Sequence, residues 1–364
     1  MIHFPIRFRS AKGSMPKLIS PTATQSQADQ DTKNHRRSQL INWALGLVCI
    51  GWAGALVGCK SSDATVLGDW KSRSELEGPA RSNAVSFVIG NFGYLGTGLN
   101  SSNERLKDFW AYDQNKNTWV QLADMAGVAR YSAVGFSIGT KGYVGTGINA
   151  NGDRLKDFWE YDQTSNTWKA VADFGGTART GAVAFSIGTK GYVGTGFDGN
   201  YLKDFWAFDP TQNAWTKVAS YSGAKREGGV AMVINGIGYV GTGNNNGLAQ
   251  RDWYGYDPAQ DLWIEKAQFT DDQTSSITRS YAVAFTINNK GYLTNGNSNG
   301  TVVWEYDPST DLWSNSLGAF EGVSRTYAVG FAIGGKGYVA TGTNGSSSKY
   351  DDLWEFDPTI AQEL

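Results

Sequence analysis

Arg130 to Gly147 reads RYSAVGFSIGTKGYVGTG, and Arg179 to Gly196 reads RTGAVAFSIGTKGYVGTG. A likeness this close makes the search for further copies the first step. The leading arginine recurs at positions 81, 130, 179, 226, 279 and 325, in steps of 49, 49, 47, 53 and 46 residues. Within the second copy, Ala133-Val134-Gly135-Phe136-Ser137-Ile138 alternates small residues with Val, Phe and Ile, the pattern of a strand with one flat and one bulky face. Gly142-Tyr143-Val144-Gly145-Thr146-Gly147 reads as a second strand, whose glycines permit close sheet approach and a bend at its end. Phe158-Trp159-Glu160-Tyr161-Asp162 reads as a third strand, and Trp168 opens a fourth. The 46 Gly, 14 Trp, 17 Tyr and 17 Phe of the 364 residues supply turns and large flat side chains in quantity, as an all-β fold needs.

Six four-stranded copies near fifty residues in length resemble the kelch family. The Tyr-to-Trp spacing of that family is present as Tyr112 and Trp119, Tyr161 and Trp168, Tyr256 and Trp263, and Tyr306 and Trp313, with Phe208 and Trp215 as a variant. Its paired glycines appear instead as Gly-Thr-Gly in the first four copies, then as Thr294-Asn295-Gly296 and Ala340-Thr341-Gly342. The resemblance, running from Trp70 to the C-terminus, implies a six-bladed β-propeller of four-stranded antiparallel blades. The sixth copy ends at Phe356-Asp357-Pro358 and a few residues more, before the Trp of its fourth strand. Gly68-Asp69-Trp70-Lys71 parallels Asn166-Thr167-Trp168-Lys169 at the other end of the sequence. The segment around Trp70 is therefore expected to complete the last blade and close the ring without an unpaired edge.

Four segments are expected: residues 1–39, polar and disordered or an over-extended start; an export segment over 40–59; a tether over 60–67; and the propeller over 68–364. Leu40 to Val57, LINWALGLVCIGWAGALV, is an apolar run preceded by Arg36-Arg37. Leu56-Val57-Gly58-Cys59 resembles the lipobox of bacterial lipoproteins, which implies cleavage before Cys59 and acylation of its sulfur. An uncleaved membrane helix is the other reading of this run. Lys60 after the Cys, by resemblance to lipoprotein sorting in bacteria with two membranes, implies the outer membrane. Seven of the 32 basic and two of the 34 acidic residues precede Cys59, so the part from Cys59 onward carries 25 against 32, net −7. Such a balance argues against nucleic-acid binding.

The only histidines are His3 and His35, and the only cysteines Cys49 and Cys59. The repeats therefore lack Ser-His-Asp and Cys-His machinery, His-ligated metals and disulfides. The kelch family includes the copper-radical galactose oxidases, but their two His ligands and Tyr-linked Cys have no counterparts here. No cofactor and no metal are expected. Asp113, Asp162, Asp209, Asp257, Asp307 and Asp357 precede a turn in every copy and read as caps of backbone amides. Asn149, Asn151 and Asp153 lack the rest of a calcium loop and read as a polar turn.

Each of Arg81, Arg130, Arg179, Arg226, Arg279 and Arg325 lies just before an inner strand, on the side where family members bind acidic peptides through such arginines. Each has two readings: a bidentate grip on a ligand carboxylate, or a pair with Asp108, Asp157, Asp204, Asp252 or Asp352 of its own blade. Val302 stands where the fifth blade would carry that Asp, which makes Arg279 the first candidate for a ligand contact. Asp271 and Asp272, on the longest inter-blade connection, are placed to overhang the opening, and Glu227 is the one acid directly after the repeated Arg. The amide-rich loops Asn244-Asn245-Asn246-Gly247 and Asn297-Ser298-Asn299-Gly300 suit sugar hydroxyls and tight turns equally. The expected function is a non-catalytic, monomeric, lipid-anchored binding module for a glycan, peptide or partner protein. A metal-independent sugar mutarotase using Glu227 with Arg226 and Arg279, by likeness to the kelch sialic-acid mutarotases, is the second reading. A structural scaffold of an envelope complex is the third.

Overall fold

A computed structural model describes residues 65–267, 278–297, 300–345 and 348–362. Every regular element among them is a strand. Six four-stranded antiparallel sheets carry inner strands Val85–Ile89, Val134–Ile138, Val183–Ile187, Val230–Ile234, Val283–Ile287 and Val329–Ile333. Blade 2 is representative: Val134–Ile138, Lys141–Gly145, Phe158–Asp162 and Thr167–Val171, paired in sequence order. The inner strands stand side by side around an axial cavity of ≈ 220 Å³.

Blades are locked by large-on-small packing. Phe136 is 3% exposed, and its ring lies where a Cβ on Gly191 of the next blade would sit, 2.1 Å away. The same relation links Phe87 to Gly142, Phe185 to Gly238, Met232 to Gly291, Phe285 to Gly337 and Phe331 to Gly93, so it runs around the whole ring. The second-strand glycine is thus a socket that any side chain would fill.

The ring closes as the repeat implies. Leu67–Arg73 pairs antiparallel with Leu353–Ala361, with Trp70 opposite Phe356 and Lys71 opposite Glu355. Trp70 is 2% exposed and packs on Phe320 and Phe356 at 4.8 and 4.7 Å between ring centroids. Arg73 grips Glu355 through two donors at 3.0 and 2.6 Å. The six aspartates ending the third strands each accept the amide two residues on, at 2.8–3.0 Å, which caps the following turn. Asn149 Oδ1 accepts the Asn151 and Asp153 amides at 2.9 Å, so that group is spent on its own turn.

Candidate functional site

The repeated arginines belong to the frame. Arg130 is wholly buried; its Nη1 and Nη2 donate to the two carboxylate oxygens of Asp157 at 2.7 and 2.6 Å, its Nη1 also to the Thr146 carbonyl at 3.1 Å, and its Nε to the Val128 carbonyl at 3.0 Å. Arg81 with Asp108, Arg179 with Asp204 and Arg325 with Asp352 repeat the two-oxygen grip, whereas Arg226 reaches only Oδ2 of Asp252, through Nη2. Burial alone pushes the carboxyls of Asp157 and Asp204 up, but the hydrogen bond and charge of the arginine outweigh it and hold both below the ordinary range. Of the two readings of Arg81, Arg130, Arg179, Arg226 and Arg325, the pair with the aspartate of the same blade is therefore present at all five. Their guanidinium groups have no surface to offer, because each is needed to neutralise an aspartate inside its own blade.

Arg279 is equally buried, with Nη1 donating to the Asn295 carbonyl at 3.0 Å, and burial pulls its pKa down to about 10. Its side chain thus lies inside blade 5, with no exposed surface. Asp271, Asp272 and Cys59 lie outside the described residues, as do the export segment and Ser298 and Asn299. Asn244 Oδ1 accepts the Gly247 amide at 2.8 Å and so caps its own turn, whereas Asn297 Oδ1 accepts the Ser280 amide at 2.8 Å and ties its loop to the segment before the inner strand of blade 5.

Glu227 stands at the mouth of the axis. A cavity of ≈ 430 Å³ opens there, and Glu227, Tyr131, Tyr281, Tyr327, Asn83 and Ile148 are among its walls. Burial raises the Glu227 carboxyl above its usual range, against the opposing effects of the Tyr281 hydroxyl, which donates to Oε1 at 3.3 Å, and of the Arg154 charge. Burial also raises Tyr281 and Tyr327, so both remain neutral donors.

Around this mouth runs a feature the repeat alignment did not single out. The residue two after each buried arginine has a left-handed backbone: Asn83, Ser132, Gly181, Gly228, Tyr281 and Tyr327, with φ from 50° to 61°. Each donates its amide to the carbonyl of its counterpart in the preceding blade, at 2.8–3.2 Å, and the Asn83 amide reaches Tyr327 to complete a closed cycle of six hydrogen bonds. Asn and Gly accept that backbone readily, whereas a bulky residue there costs about 1–2 kcal/mol. Tyr281 and Tyr327 break the rule side by side, their rings 4.3 Å apart, with Tyr281 seated over Gly228, where a Cβ would lie 2.2 Å from its ring. Strain of this kind concentrates at ligand clamps. The sequence signal was available as a column reading Asn, Ser, Gly, Gly, Tyr, Tyr.

This architecture is that of a kelch-type propeller, and comparison with known proteins agrees. The family model described as the KLHDC2/KLHL20/DRC7 Kelch-repeats domain matches residues 86–296, and the chain belongs to that family. Among solved structures, the one described as the structure of YjhT superimposes with a TM-score of 0.65 and 17% identity, over 77% of this chain and 95% of that one. At this identity the likeness shows the fold. None of the curated proteins compared matches this protein in sequence.

Proposed function

We propose that this protein is a lipid-anchored binding protein of a bacterial cell envelope that holds a glycan, peptide or partner protein at the mouth of its loop face. One observation carries the reading: two neighbouring tyrosines hold a strained backbone conformation at the opening, beside a half-buried acid. Tyrosine rings offer a flat face to the C–H groups of a sugar or peptide and a hydroxyl to their polar atoms. The test is a glycan and peptide array probed with residues 63–364. Tyr281→Gly and Tyr327→Gly are expected to abolish any binding found while leaving thermal stability equal or higher, because each relieves left-handed strain. Binding that survives both substitutions would overturn the assignment of the mouth.

The mutarotase reading gains from Glu227, a carboxyl with a raised pKa in a cavity. It loses its expected clamp, since Arg226 is committed to Asp252. Its test is NMR of sugar anomers: accelerated interconversion lost in Glu227→Gln favours the enzyme. The same variant reports the pH linkage. Raised above its unfolded value, the Glu227 carboxyl opposes folding once it ionises, so Glu227→Gln should stabilise the protein at neutral pH. That gain should vanish as pH falls below the ordinary Glu value of 4.5. The anchor is tested separately: labelled palmitate is expected in the full-length protein and absent from Cys59→Ser, and incorporation that survives the change would refute lipidation at that residue.

A further inference from the structure

Opposite the loop face lies a face of short turns, which join first strand to second and third to fourth in each blade. The chain enters the propeller there. Leu67–Arg73 runs antiparallel to Leu353–Ala361, with Leu67 opposite Ala361 at the turn-face end and Arg73 opposite Leu353 at the loop-face end. Thr65, the first described residue, therefore emerges on the turn face. Cys59 is six residues earlier, and six residues reach at most about 22 Å when fully extended.

Around this entry the turn face departs from the repeat. The residue opening the second strand is Lys141, Lys190, Lys290 or Lys336 in four blades, but Phe92 in blade 1 and Ile237 in blade 4. The residue before the fourth-strand Trp is Thr118, Thr167 and Ala214 in blades 1–3, but Leu262 and Leu312 in blades 4 and 5. Blade 6 adds Val66, Leu67 and Ile360, so exposed apolar side chains run over blades 4, 5, 6 and 1, with Leu312 at 63% and Leu262 at 49%. Scattered singly they would need no explanation, but an arc centred on the entry of the chain does. Fraying does not account for it. The Val66 carbonyl accepts the Gln362 amide at 2.8 Å and the Leu67 carbonyl the Gly318 amide at 2.7 Å, so the backbone holds these side chains in the open. The carboxylates of this face are largely met: Asp113 pairs with Lys116 at 3.2 Å, Asp162 with Lys141, Asp307 with Lys290 at 3.8 Å and Asp357 with Lys336 at 3.1 Å. Such pairing reduces their repulsion of anionic headgroups.

We infer that the turn face of blades 4, 5, 6 and 1 rests on the lipid bilayer, with its apolar arc seated among the headgroups and the loop face pointing away. This rests on reading the N-terminal segment as the membrane attachment. The attachment brings the face within about 22 Å of the lipid, and the apolar arc draws it the rest of the way, to a depth of about 5–10 Å.

The test uses full-length protein in vesicles of phosphatidylethanolamine and phosphatidylglycerol that carry a spin label near the headgroup. Leu312→Cys, Ile360→Cys, Thr167→Cys and Leu248→Cys each receive a polarity-sensitive fluorophore at an exposed site, the parent protein sets the background, and melting curves establish folding. Emission from Leu312→Cys and Ile360→Cys is expected to shift to the blue and to lose at least about half its intensity to the spin label. Thr167→Cys, on the turn face of blade 2, and Leu248→Cys, on the loop face, should change little. Adding Leu262→Ser and Leu312→Ser to Ile360→Cys should reduce its quenching to the level of Thr167→Cys. Equal quenching at all four sites, or quenching of Ile360→Cys that survives the two serines, would overturn the inference. So would a blue shift of Leu312→Cys without quenching, which marks a second copy of the chain on the arc. Labelled palmitate followed in the same sample keeps the two readings apart. The expected quenching without palmitate would count against Cys59 alone, and palmitate without quenching would overturn the seating of the turn face alone.

Discussion

A variant lacking residues 64–78 is expected to melt at least about 10 °C below the intact propeller, or not to fold. The segment supplies the outer strand of the last blade, and Trp70 at its centre is fully enclosed by Phe320 and Phe356. Trp70→Ala alone removes a large buried ring, worth about 3–5 kcal/mol, and at about 2–4 °C per kcal/mol for a domain near this size that already approaches the stated drop. The deletion also strips the ladder partner of Leu353–Ala361 and takes from Glu355 the Arg73 charge, leaving Lys336 to neutralise it. Calorimetry of the truncated and intact proteins decides the matter. A melting temperature within about 2 °C of the intact protein would show that closure is not by this strand. A synthetic peptide of residues 64–78 added to the truncated protein should restore part of the loss, because it binds only the folded ring.

The second large effect belongs to the blade interior. Asp157→Ala is expected to cost about 3–5 kcal/mol, because it strands a guanidinium with no exposed surface and no counter-charge. The double change Arg130→Met with Asp157→Leu should recover most of that loss, since an apolar pair of similar volume has no desolvation to offset. Denaturant titration of the two variants separates these outcomes, and a cost for Asp157→Ala below about 1 kcal/mol would deny the pair its structural role. The pH dependence has a definite sign. Asp157 and Asp204 titrate below their unfolded values when folded, so their contribution is complete above the ordinary Asp value of 3.8 and is lost as pH falls through the lower folded values.

The architecture was legible because each blade is a near-copy of its neighbour, and a period states both the number of blades and the missing strand. Trp70 could be matched to Trp168 by its neighbours alone. The arginines were harder. A guanidinium that grips an aspartate in its own blade and one that awaits a ligand leave the same mark in a repeat, and burial decided between them. Glu227 was recognisable as a departure from its column. Tyr281 and Tyr327 were not, since what distinguishes them is the backbone angle they must adopt, and residue identity reveals it only when compared with the Asn and Gly at equivalent sites.

The cycle of six amides around the mouth has a thermodynamic consequence. A ladder frays from its ends, and a ring of hydrogen bonds has none. The amide of Asn83 is bonded to a carbonyl of the neighbouring blade, as are those of Ser132, Gly181, Gly228, Tyr281 and Tyr327, so parting any two blades breaks one of them. Each is thus a direct reporter of blade separation, to be read by amide exchange. A ligand settling on the tyrosines would rest on backbone that joins blade to blade around the whole ring.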